Sequence, residues 1–347
     1  MKKSRKVLFR NFSILILSLL MLVSGVGCVY ADNLLSGINY APSETASSKV
    51  ATGSLFESEA DSGSTVSAKS GVLGGLFHDD AITNILLLGT DDYQANDVGR
   101  PDSMLLVSVD TRHNKLKITS FMRDLYVAIP GHSSNKLNAA YSDAGGGPAG
   151  AKLVVRTIEA NFGVDIDRYV IIDNSAFNKI INRIGGVTVT LTSGEAALVN
   201  EYCGESSHLT AGTFKLDGAQ AHYYSRIRAI GDDFQRTQRQ RIVFTNLVSE
   251  LKGASFQTIW GIVVDIMSQH LVTTNMSKDE IVAMATRSVT YLKYPVVQDR
   301  VPGDNEYKSE TTEAGDSLVP DIDACRKNLS SFIFEGDVPS KSYNTAG

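Results

Sequence analysis

The sequence predicts an α/β fold in which a central mixed β-sheet is flanked by helices in three layers. Three strand-like apolar runs follow one another at residues 85–88, 104–109 and 116–121. Beyond them, segments with helical spacing alternate with short apolar runs, as in a sheet covered by helices. The chain has 347 residues, 43% of them hydrophobic, which is enough for a sizeable core.

A membrane anchor is predicted before this fold. Residues 12–30 contain no Asp, Glu, Lys, Arg or His, and a helix of that length rises about 28 Å, enough to span a bilayer. The tail at residues 1–11 is basic and has no acid, which predicts a cytoplasmic N-terminus and an extracytoplasmic remainder. A cleaved signal peptide is the alternative, because Gly25 and Gly27 are small residues near the end of the run.

The rest of the chain divides into three parts. Residues 31–78 are rich in Ser, Gly, Ala and Thr, which predicts a flexible extracytoplasmic linker. A single folded domain is predicted for residues 79–338, and a tail for residues 339–347. The formal net charge is −5 and becomes more negative without the basic tail, so the overall field does not favour nucleic acid as a partner.

Cysteine usage leaves one question open. Cys203 and Cys325 both lie in the exported body, where an oxidising compartment permits a disulfide, but the sequence does not show whether they meet. The chain has no CxxC or HxxxH pairing, which argues against a zinc site.

Local start and stop signals define the remaining elements in order. Pro148 opens a helix, Gly185 stops the next one, Asp217 caps another, and Ser277 begins a capping box. Helices are predicted at residues 135–141, 148–161, 175–184, 217–228, 234–251, 256–267, 277–292 and 322–334, and further strands at residues 169–172, 187–191 and 296–301. Residues 195–214 are predicted to be irregular, and a loop of about 20 residues is predicted before the last helix.

Charged residues collect where the opening strands begin or end. Asp91 follows the first run, Asp102 precedes the second, and Arg123 and Asp124 follow the third. In open α/β sheets ligands bind in the crevice outside the carboxyl ends of the strands. The alternative is that these aspartates only initiate turns or cap helices.

A second charged group lies more than a hundred residues further on. Arg226 and Arg228 stand at the end of one predicted helix, and Arg236, Arg239 and Gln240 lie on the first two turns of the next. Spacings of three and four residues bring side chains together near that helix N-terminus, which favours an anion. Arginine forks match phosphate oxygens and carboxylates suit magnesium, so a pyrophosphate site is predicted, with surface salt bridges as the alternative.

Six separated motifs carry a resemblance to a known family. They are GTD at 89–91, GRPDS at 99–103, FMRD at 121–124, NKLNAAY at 135–141, IGGV at 184–187, and YSRIR with DFQRTQRQ at 224–228 and 233–240. In this order, over residues 83–252, the chain resembles the LytR-CpsA-Psr family. The resemblance implies a phosphotransferase of the cell membrane of a Gram-positive-type cell, which moves a glycopolymer such as teichoic acid or capsule from a polyprenyl pyrophosphate carrier to peptidoglycan.

The resemblance also implies roles for individual residues. Asp91 and Asp102 are expected to hold Mg²⁺, and Asp233 is the expected base. The expected pyrophosphate contacts are Arg100, Arg123, Lys136, Arg226, Arg228, Arg236, Arg239 and Gln240. Met122 and Gln235 depart from the usual family pattern, which affects loop shape more than charge.

Two rival functions use the same residues. A magnesium-dependent pyrophosphate hydrolase would use water as the acceptor, and a non-catalytic polyprenyl phosphate binder would leave its ligand unchanged. Apolar residues in segments 162–184 and 247–267 are sufficient to line a tunnel for the carrier's tail, or to serve as core.

Overall fold

A computed structural model of the chain describes residues 39–40, 71–73, 75–90, 98–204, 207–268 and 272–336. The predicted basic tail, the membrane helix at 12–30, most of the linker, the C-terminal tail and Asp91 lie outside these residues. Within the described part, no helix is both long enough and apolar enough to cross a membrane.

The elements follow the alternation that the sequence predicts. In chain order, the strands are β1 (Asn39–Tyr40), β2 (Gly71–Leu73), β3 (Leu76–His78), β4 (Ile82–Gly89), β5 (Ser103–Asp110), β6 (Lys115–Phe121), β7 (Tyr126–Val127), β8 (Asn135–Lys136), β9 (Arg168–Ile172), β10 (Val187–Leu191), β11 (Gly212–Leu216), β12 (Val272–Thr274), β13 (Val296–Val301), β14 (Tyr307–Thr312) and β15 (Gly315–Pro320). The helices are α1 (Ala139–Asp143), α2 (Gly147–Phe162), α3 (Asn174–Arg183), α4 (Ser193–Cys203), α5 (Gly218–Arg226), α6 (Asp233–Gly253), α7 (Phe256–Ser268), α8 (Lys278–Tyr291) and α9 (Ile322–Phe334).

One mixed sheet forms the centre of the domain. Its strand order is β1-β12-β9-β4-β5-β6-β13. β4 pairs parallel with β9, β6 pairs parallel with β13, and β5 is antiparallel to both β4 and β6. The carboxyl ends of β4, β6, β9 and β13 therefore lie at one edge of the sheet, together with the amino end of β5.

Helices cover both faces of this sheet, as the sequence predicts. On one face, Leu86 of β4 packs in the same core as Ile158 of α2 and Leu329 of α9. On the other face, Val248 of α6 packs against Val109 of β5. Because β4 is covered on both sides, residues 85–88 within it are continuously apolar rather than alternating.

A second core fixes the helices that carry the distant arginines. It joins Val189 of β10, Ala196 of α4, Tyr224 of α5 and Val243 of α6, all nearly or fully buried. This core packs the end of α5 against α6. The turn that joins α5 to α6 is therefore held by packed helices at both of its ends.

The prediction that residues 195–214 are irregular is wrong. Most of the segment folds as α4 and β11, and β11 pairs antiparallel with β10. A capping box starts α4: the Glu195 N–H donates to Thr192 Oγ1 at 3.3 Å, and Glu195 Oε2 accepts the N–H of Thr192 at 2.9 Å.

Two further local predictions are corrected. The segment before the last helix is not an open loop, because β14 and β15 pair over their full length as a hairpin. Its residues are mostly polar and only half of them are even partly buried, so they lack the apolar signal of a buried strand. The predicted helix at 135–141 begins later, at Ala139, because Asn135 and Lys136 pair with β7 instead.

The structure answers the cysteine question within the described residues. Cys203 packs at the edge of the second core, whereas Cys325 is fully buried in the core that covers the first face of the sheet. No disulfide joins them.

A partly buried glutamate, Glu159, gives a test of the fold. Burial raises the pKa of Glu159 to about 7, and the nearby carboxylates of Asp165 and Asp167 add to the rise. An acid with a raised folded-state pKa loses stability as the pH rises from its unfolded value of 4.5 through about 7. Above pH 7 we expect Glu159→Gln to have a higher free energy of unfolding than the wild type, by on the order of 3 kcal/mol for a pKa raised from 4.5 to about 7. Below pH 4.5 we expect the two proteins to be equally stable.

Urea unfolding at both ends of that pH range measures this difference. The exposed Glu201→Gln on α4 is the matched control and should follow the wild type at both pH values. If the free energy of unfolding depends on pH equally in the wild type and in Glu159→Gln, then ionisation of Glu159 does not destabilise the folded state, and the prediction is refuted.

Candidate active site

The charged residues predicted at the strand margins meet at the carboxyl edge of the sheet. Asp102 directly precedes β5, and Arg123 and Asp124 follow the end of β6 after one residue. These ends are neighbours because β5 and β6 are antiparallel. Arg123 Nη1 lies 2.8 Å from Asp102 Oδ1. Arg100, two residues before Asp102, is exposed.

Residues from the distant segment approach the same carboxylate. Arg228 Nη2 donates to Asp102 Oδ2 at 2.8 Å, and Arg236 Nη1 lies 3.9 Å from Asp102 Oδ1. Gln240 Nε2 donates to the main-chain oxygen of Asp102 at 3.3 Å. The two charged groups of the sequence, more than a hundred residues apart, therefore lie in one cluster.

Asp233 opens α6 and lies beside two of these arginines. Its Oδ1 is 2.7 Å from Arg236 Nη2 and 3.3 Å from Arg123 Nε. Its Oδ2 is buried, with no hydrogen-bond partner in the described part of the chain. Burial raises the pKa of Asp233, and the positive charges of Arg236 and Arg123 oppose that rise. The helix start is fixed by Asp232, which accepts the N–H of Gln235 at 3.0 Å.

Arg236 is the most buried charge of the cluster, with 1% of its side chain exposed. Burial lowers its pKa, although the carboxylates of Asp233 and Asp102 act in the opposite direction. Among the described residues, its Nε has no hydrogen-bond partner. A buried guanidinium with unused donors favours binding of an anion, which would supply both charge and acceptors.

Lys136 completes the cluster from the short β7–β8 ribbon. Its Nζ is 3.1 Å from Asp124 Oδ1, while Arg123 Nε is 3.3 Å from the other oxygen of Asp124. Burial acts to lower the pKa of Arg123, but the carboxylates of Asp233, Asp124 and Asp102 outweigh it and raise that pKa. In the described part of the cluster, cations outnumber carboxylates: Arg123, Lys136, Arg228 and Arg236 stand against Asp102, Asp124 and Asp233. The cluster therefore carries a net positive charge suited to an anion.

An apolar cavity of about 140 Å³ opens beside the cluster. Asp102, Arg226 and Gln240 line it at the charged side. Strands and helices on the second face of the sheet supply the apolar lining, which includes Leu87, Leu105, Ile172, Phe177, Ile180, Val243, Phe244 and Leu247. A cationic, anion-binding cluster thus adjoins an apolar compartment.

Arg239 has a different environment from Arg236, although the two are three residues apart. Its Nε is 2.8 Å from Glu195 Oε1. Its Nη1 and Nη2 donate to the main-chain oxygens of Ile227 and Ile230 at 3.1 Å and 3.0 Å. In this structure the guanidinium of Arg239 holds the turn that follows α5, the turn that carries Arg228.

Two residues of this site were not assigned a role from the sequence. Asp124 is predicted at the strand margins but receives no individual role from the sequence, yet it pairs with both Arg123 and Lys136. Glu195 falls in the segment predicted to be irregular, yet it holds Arg239. The T-x-x-E spacing of Thr192 and Glu195 was the signal that could have placed Glu195 at a helix start.

Comparison with known proteins identifies the family. The model of the LytR_cpsA_psr family matches residues 41–328. The chain belongs to the LytR-CpsA-Psr family. The expectation drawn from the six motifs is thereby confirmed, and the match extends well beyond residues 83–252 on both sides.

Curated members of the LytR-CpsA-Psr family are similar over part of their length. The chain is 33% identical to "Polyisoprenyl-teichoic acid--peptidoglycan teichoic acid transferase TagU" of Oceanobacillus iheyensis over 61% of this chain and 64% of that protein. It is 32% identical to the TagT transferase of the same description from Bacillus subtilis, over 57% of this chain and 62% of that protein. The aligned region spans less than two thirds of either relative.

A solved LytR-CpsA-Psr structure shares the fold. The structure described as "TagT bound to LIIa-WTA" superimposes with a TM-score of 0.60 and 26% identity, covering 73% of this chain and 91% of that chain. The mixed sheet flanked by helices is therefore the architecture of this family.

Proposed function

We propose that this protein is a phosphotransferase that moves a glycopolymer, such as a teichoic acid or a capsular polymer, from a polyprenyl pyrophosphate carrier to peptidoglycan. The observation that carries this proposal is the meeting of two distant charged segments in one net-positive cluster beside an apolar cavity. The activity for which the TagU and TagT relatives are named supports the same reaction.

The cluster and the cavity match the two ends of such a donor. A pyrophosphate has several anionic oxygens, and the forked donors of Arg123, Arg228 and Arg236 can each bind two of them. We assign Arg100, Lys136, Arg226 and Gln240 as further contacts at the rim. The polyprenyl tail is apolar, and the adjoining cavity offers it a place away from water. Arg239 supports the Arg228 turn in this arrangement rather than the phosphates directly.

The acceptor needs a base, and Asp233 has the properties of one. Its carboxyl group lies within the cluster, and its Oδ2 is available because no described group occupies it. A raised pKa brings a carboxylate closer to the pH at which a base works efficiently. Asp233 then takes the proton of the acceptor hydroxyl, and the arginines stabilise the charge that grows on the leaving phosphate.

Magnesium is proposed as the cofactor. Magnesium prefers hard oxygen ligands such as carboxylates. Both carboxylate oxygens of Asp102 pair with arginines in this structure, one with Arg123 and the other with Arg228. A bound pyrophosphate would attract those arginines and leave the oxygens of Asp102 to the metal ion. Asp102 would hold the ion together with Asp91. When bound, magnesium supplies additional neutralisation of charge on the pyrophosphate.

Replacing Asp102 with asparagine should weaken the response to magnesium. We expect the concentration of Mg²⁺ that gives half-maximal transfer to rise by at least about 10-fold, the loss seen when even outer-shell partners of a metal are removed. Titrating transfer with MgCl₂ measures it. Asp110 is not a suitable control position because it is buried and pairs with Lys117. Asp323→Asn, at an exposed position on α9, serves instead and should titrate like the wild type. An unchanged titration in Asp102→Asn would refute the ligand role.

The proposed location follows from the proposed anchor. A membrane helix at residues 12–30 and a linker at residues 31–78 would hold the catalytic domain at the outer face of a Gram-positive-type membrane, where a lipid carrier and peptidoglycan meet. Reporter fusions on either side of residues 12–30 test this orientation.

Reconstitution tests the reaction itself. The full-length protein is incubated with a polyprenyl pyrophosphate-linked polymer, peptidoglycan oligomers and magnesium. Polymer joined covalently to peptidoglycan is the expected result. Release of free phosphorylated polymer without joining would indicate a hydrolase, and unchanged lipid-linked polymer would indicate a binding protein.

A further inference from the structure

A second, chemically different opening borders the catalytic cluster. It is an open cleft of about 400 Å³, lined among others by Asp124, Asp233, Ser309, Glu310 and Thr311. The apolar cavity instead borders the cluster at Asp102. Arg123 joins the two sides, since its Nη1 lies 2.8 Å from Asp102 and its Nε 3.3 Å from Asp233. The cluster therefore lies between an apolar compartment and a polar one.

The β14–β15 hairpin forms one wall of this cleft. Contacts with Asp124 and Phe234, which adjoin Arg123 and Asp233 in the sequence, hold the hairpin in place. The N–H of Leu318 donates to the main-chain oxygen of Asp124 at 2.9 Å. The rings of Tyr307 and Phe234 lie 5.2 Å apart, and the guanidinium of Arg300 lies 4.2 Å from the Phe234 ring centre. Phe234 directly follows Asp233, the proposed base. The hairpin therefore contacts the site at two points, Asp124 and Phe234.

The lining of the cleft excludes the donor and suits a hydroxylated ligand. Hydroxyl groups come from Ser309, Thr311 and Ser317, and carboxylates from Glu310 and Asp316 in addition to those of the cluster. Glu310 and Asp316 form no ion pair within the described part of the chain. Their carboxylates repel a pyrophosphate, whereas the arginines of the cluster attract it. Carboxylates and hydroxyls together accept and donate the hydrogen bonds that a sugar offers.

We propose that this cleft is the acceptor subsite, which binds a hydroxyl-rich sugar of the acceptor glycan and directs one hydroxyl toward Asp233. The inference rests on the proposed transferase function. In the reaction, the acceptor oxygen forms a bond to the phosphorus that carries the polymer, and the bond from that phosphorus to the bridging oxygen breaks. The hydroxyl proton goes to Asp233, and polyprenyl monophosphate leaves on the opposite side. An in-line displacement requires acceptor and leaving group on opposite sides of phosphorus. The apolar cavity borders the cluster at Asp102 and the cleft borders it at Asp233, so separate compartments are present for the two groups.

Two hairpin variants test the subsite. Glu310→Gln keeps the size of the side chain and removes one charged acceptor, and should raise the KM for peptidoglycan oligomers about tenfold, the loss expected for one hydrogen bond to a charged group. Ser309→Trp fills the cleft from an exposed strand position that tolerates an aromatic side chain, and should block transfer to the oligomer. For both variants we expect the Kd of the lipid-linked donor to remain that of the wild type.

The matched control is Glu313→Gln, in the turn of the same hairpin and outside the cleft lining, which should transfer with the wild-type KM. A wild-type acceptor KM in Glu310→Gln together with normal transfer by Ser309→Trp would overturn the subsite while leaving the transferase intact. Failure of the wild-type protein to join polymer to acceptor would instead refute the transferase function itself. Weaker donor binding in either hairpin variant would show that the cleft belongs to the donor.

Discussion

Replacing Arg123 with alanine is expected to lower kcat/KM for polymer transfer by about 10³-fold or more, the scale of loss when an arginine that stabilises a transferring phosphoryl group is removed. Arg123 contacts the carboxylates of Asp102, Asp124 and Asp233. Its loss removes one guanidinium fork and also leaves three carboxylates less neutralised beside an anionic donor. Initial rates with a lipid-linked polymer and peptidoglycan oligomers measure the effect, and Arg226→Ala should act in the same direction.

Two further variants separate a catalytic loss from a structural one. Arg112→Ala removes another carboxylate-paired arginine, 2.6 Å from Asp79 at the opposite edge of the sheet, and should transfer at the wild-type rate. Arg123→Lys keeps the charge without the fork and should retain intermediate activity. Thermal unfolding of Arg123→Ala close to that of the wild type confirms the fold. Near-normal transfer by a folded Arg123→Ala would refute the assignment of the site.

The sequence was sufficient to predict the centre of the fold because its signals there are local. The run at 85–88 is apolar at every position, as burial of β4 on both faces requires. Asp102 and Arg123 flank neighbouring strands, and antiparallel pairing of β5 with β6 brings their ends together without help from distant residues. The match of arginine forks and carboxylates to a magnesium pyrophosphate predicts that this edge forms one site with Arg228 and Arg236. The family resemblance supports that link, which periodicity alone does not give.

The parts that could not be predicted depend on tertiary contacts. Arg236 and Arg239 are three residues apart on one helix, so spacing alone groups them. Packing separates them, because Glu195 and the turn after α5 occupy the guanidinium of Arg239. The β14–β15 hairpin is mostly polar, and its first strand is mostly exposed. It is attached to the site through the main chain of Asp124, a contact with no sequence signal.

Replacing Asp233 with asparagine is expected to lower kcat by about 10²–10⁴-fold, the usual contribution of a general base. The base must be ionised to accept a proton, so wild-type kcat/KM should fall as the pH drops through the pKa of Asp233. Burial raises that pKa above the ordinary 3.8, which moves this acid limb to a higher pH than a solvent-exposed aspartate would give. The limb should be absent in Asp233→Asn, and pH-rate profiles of kcat/KM measure it.

The control for this prediction must remove an aspartate without touching the cluster. Asp321→Asn does so: Asp321 caps α9 by accepting the N–H of Ala324 at 3.1 Å, and asparagine caps a helix as well as aspartate. It should keep both the rate and the acid limb. Donor affinity separates a role of Asp233 as the base from a role in donor binding. In Asp233→Asn, Arg236 loses the carboxylate that lies 2.7 Å away. The variant should therefore bind the pyrophosphate at least as tightly as the wild type. A variant that binds the donor normally, transfers slowly and lacks the acid limb is missing its base. A variant that keeps the limb would show that another group takes the proton.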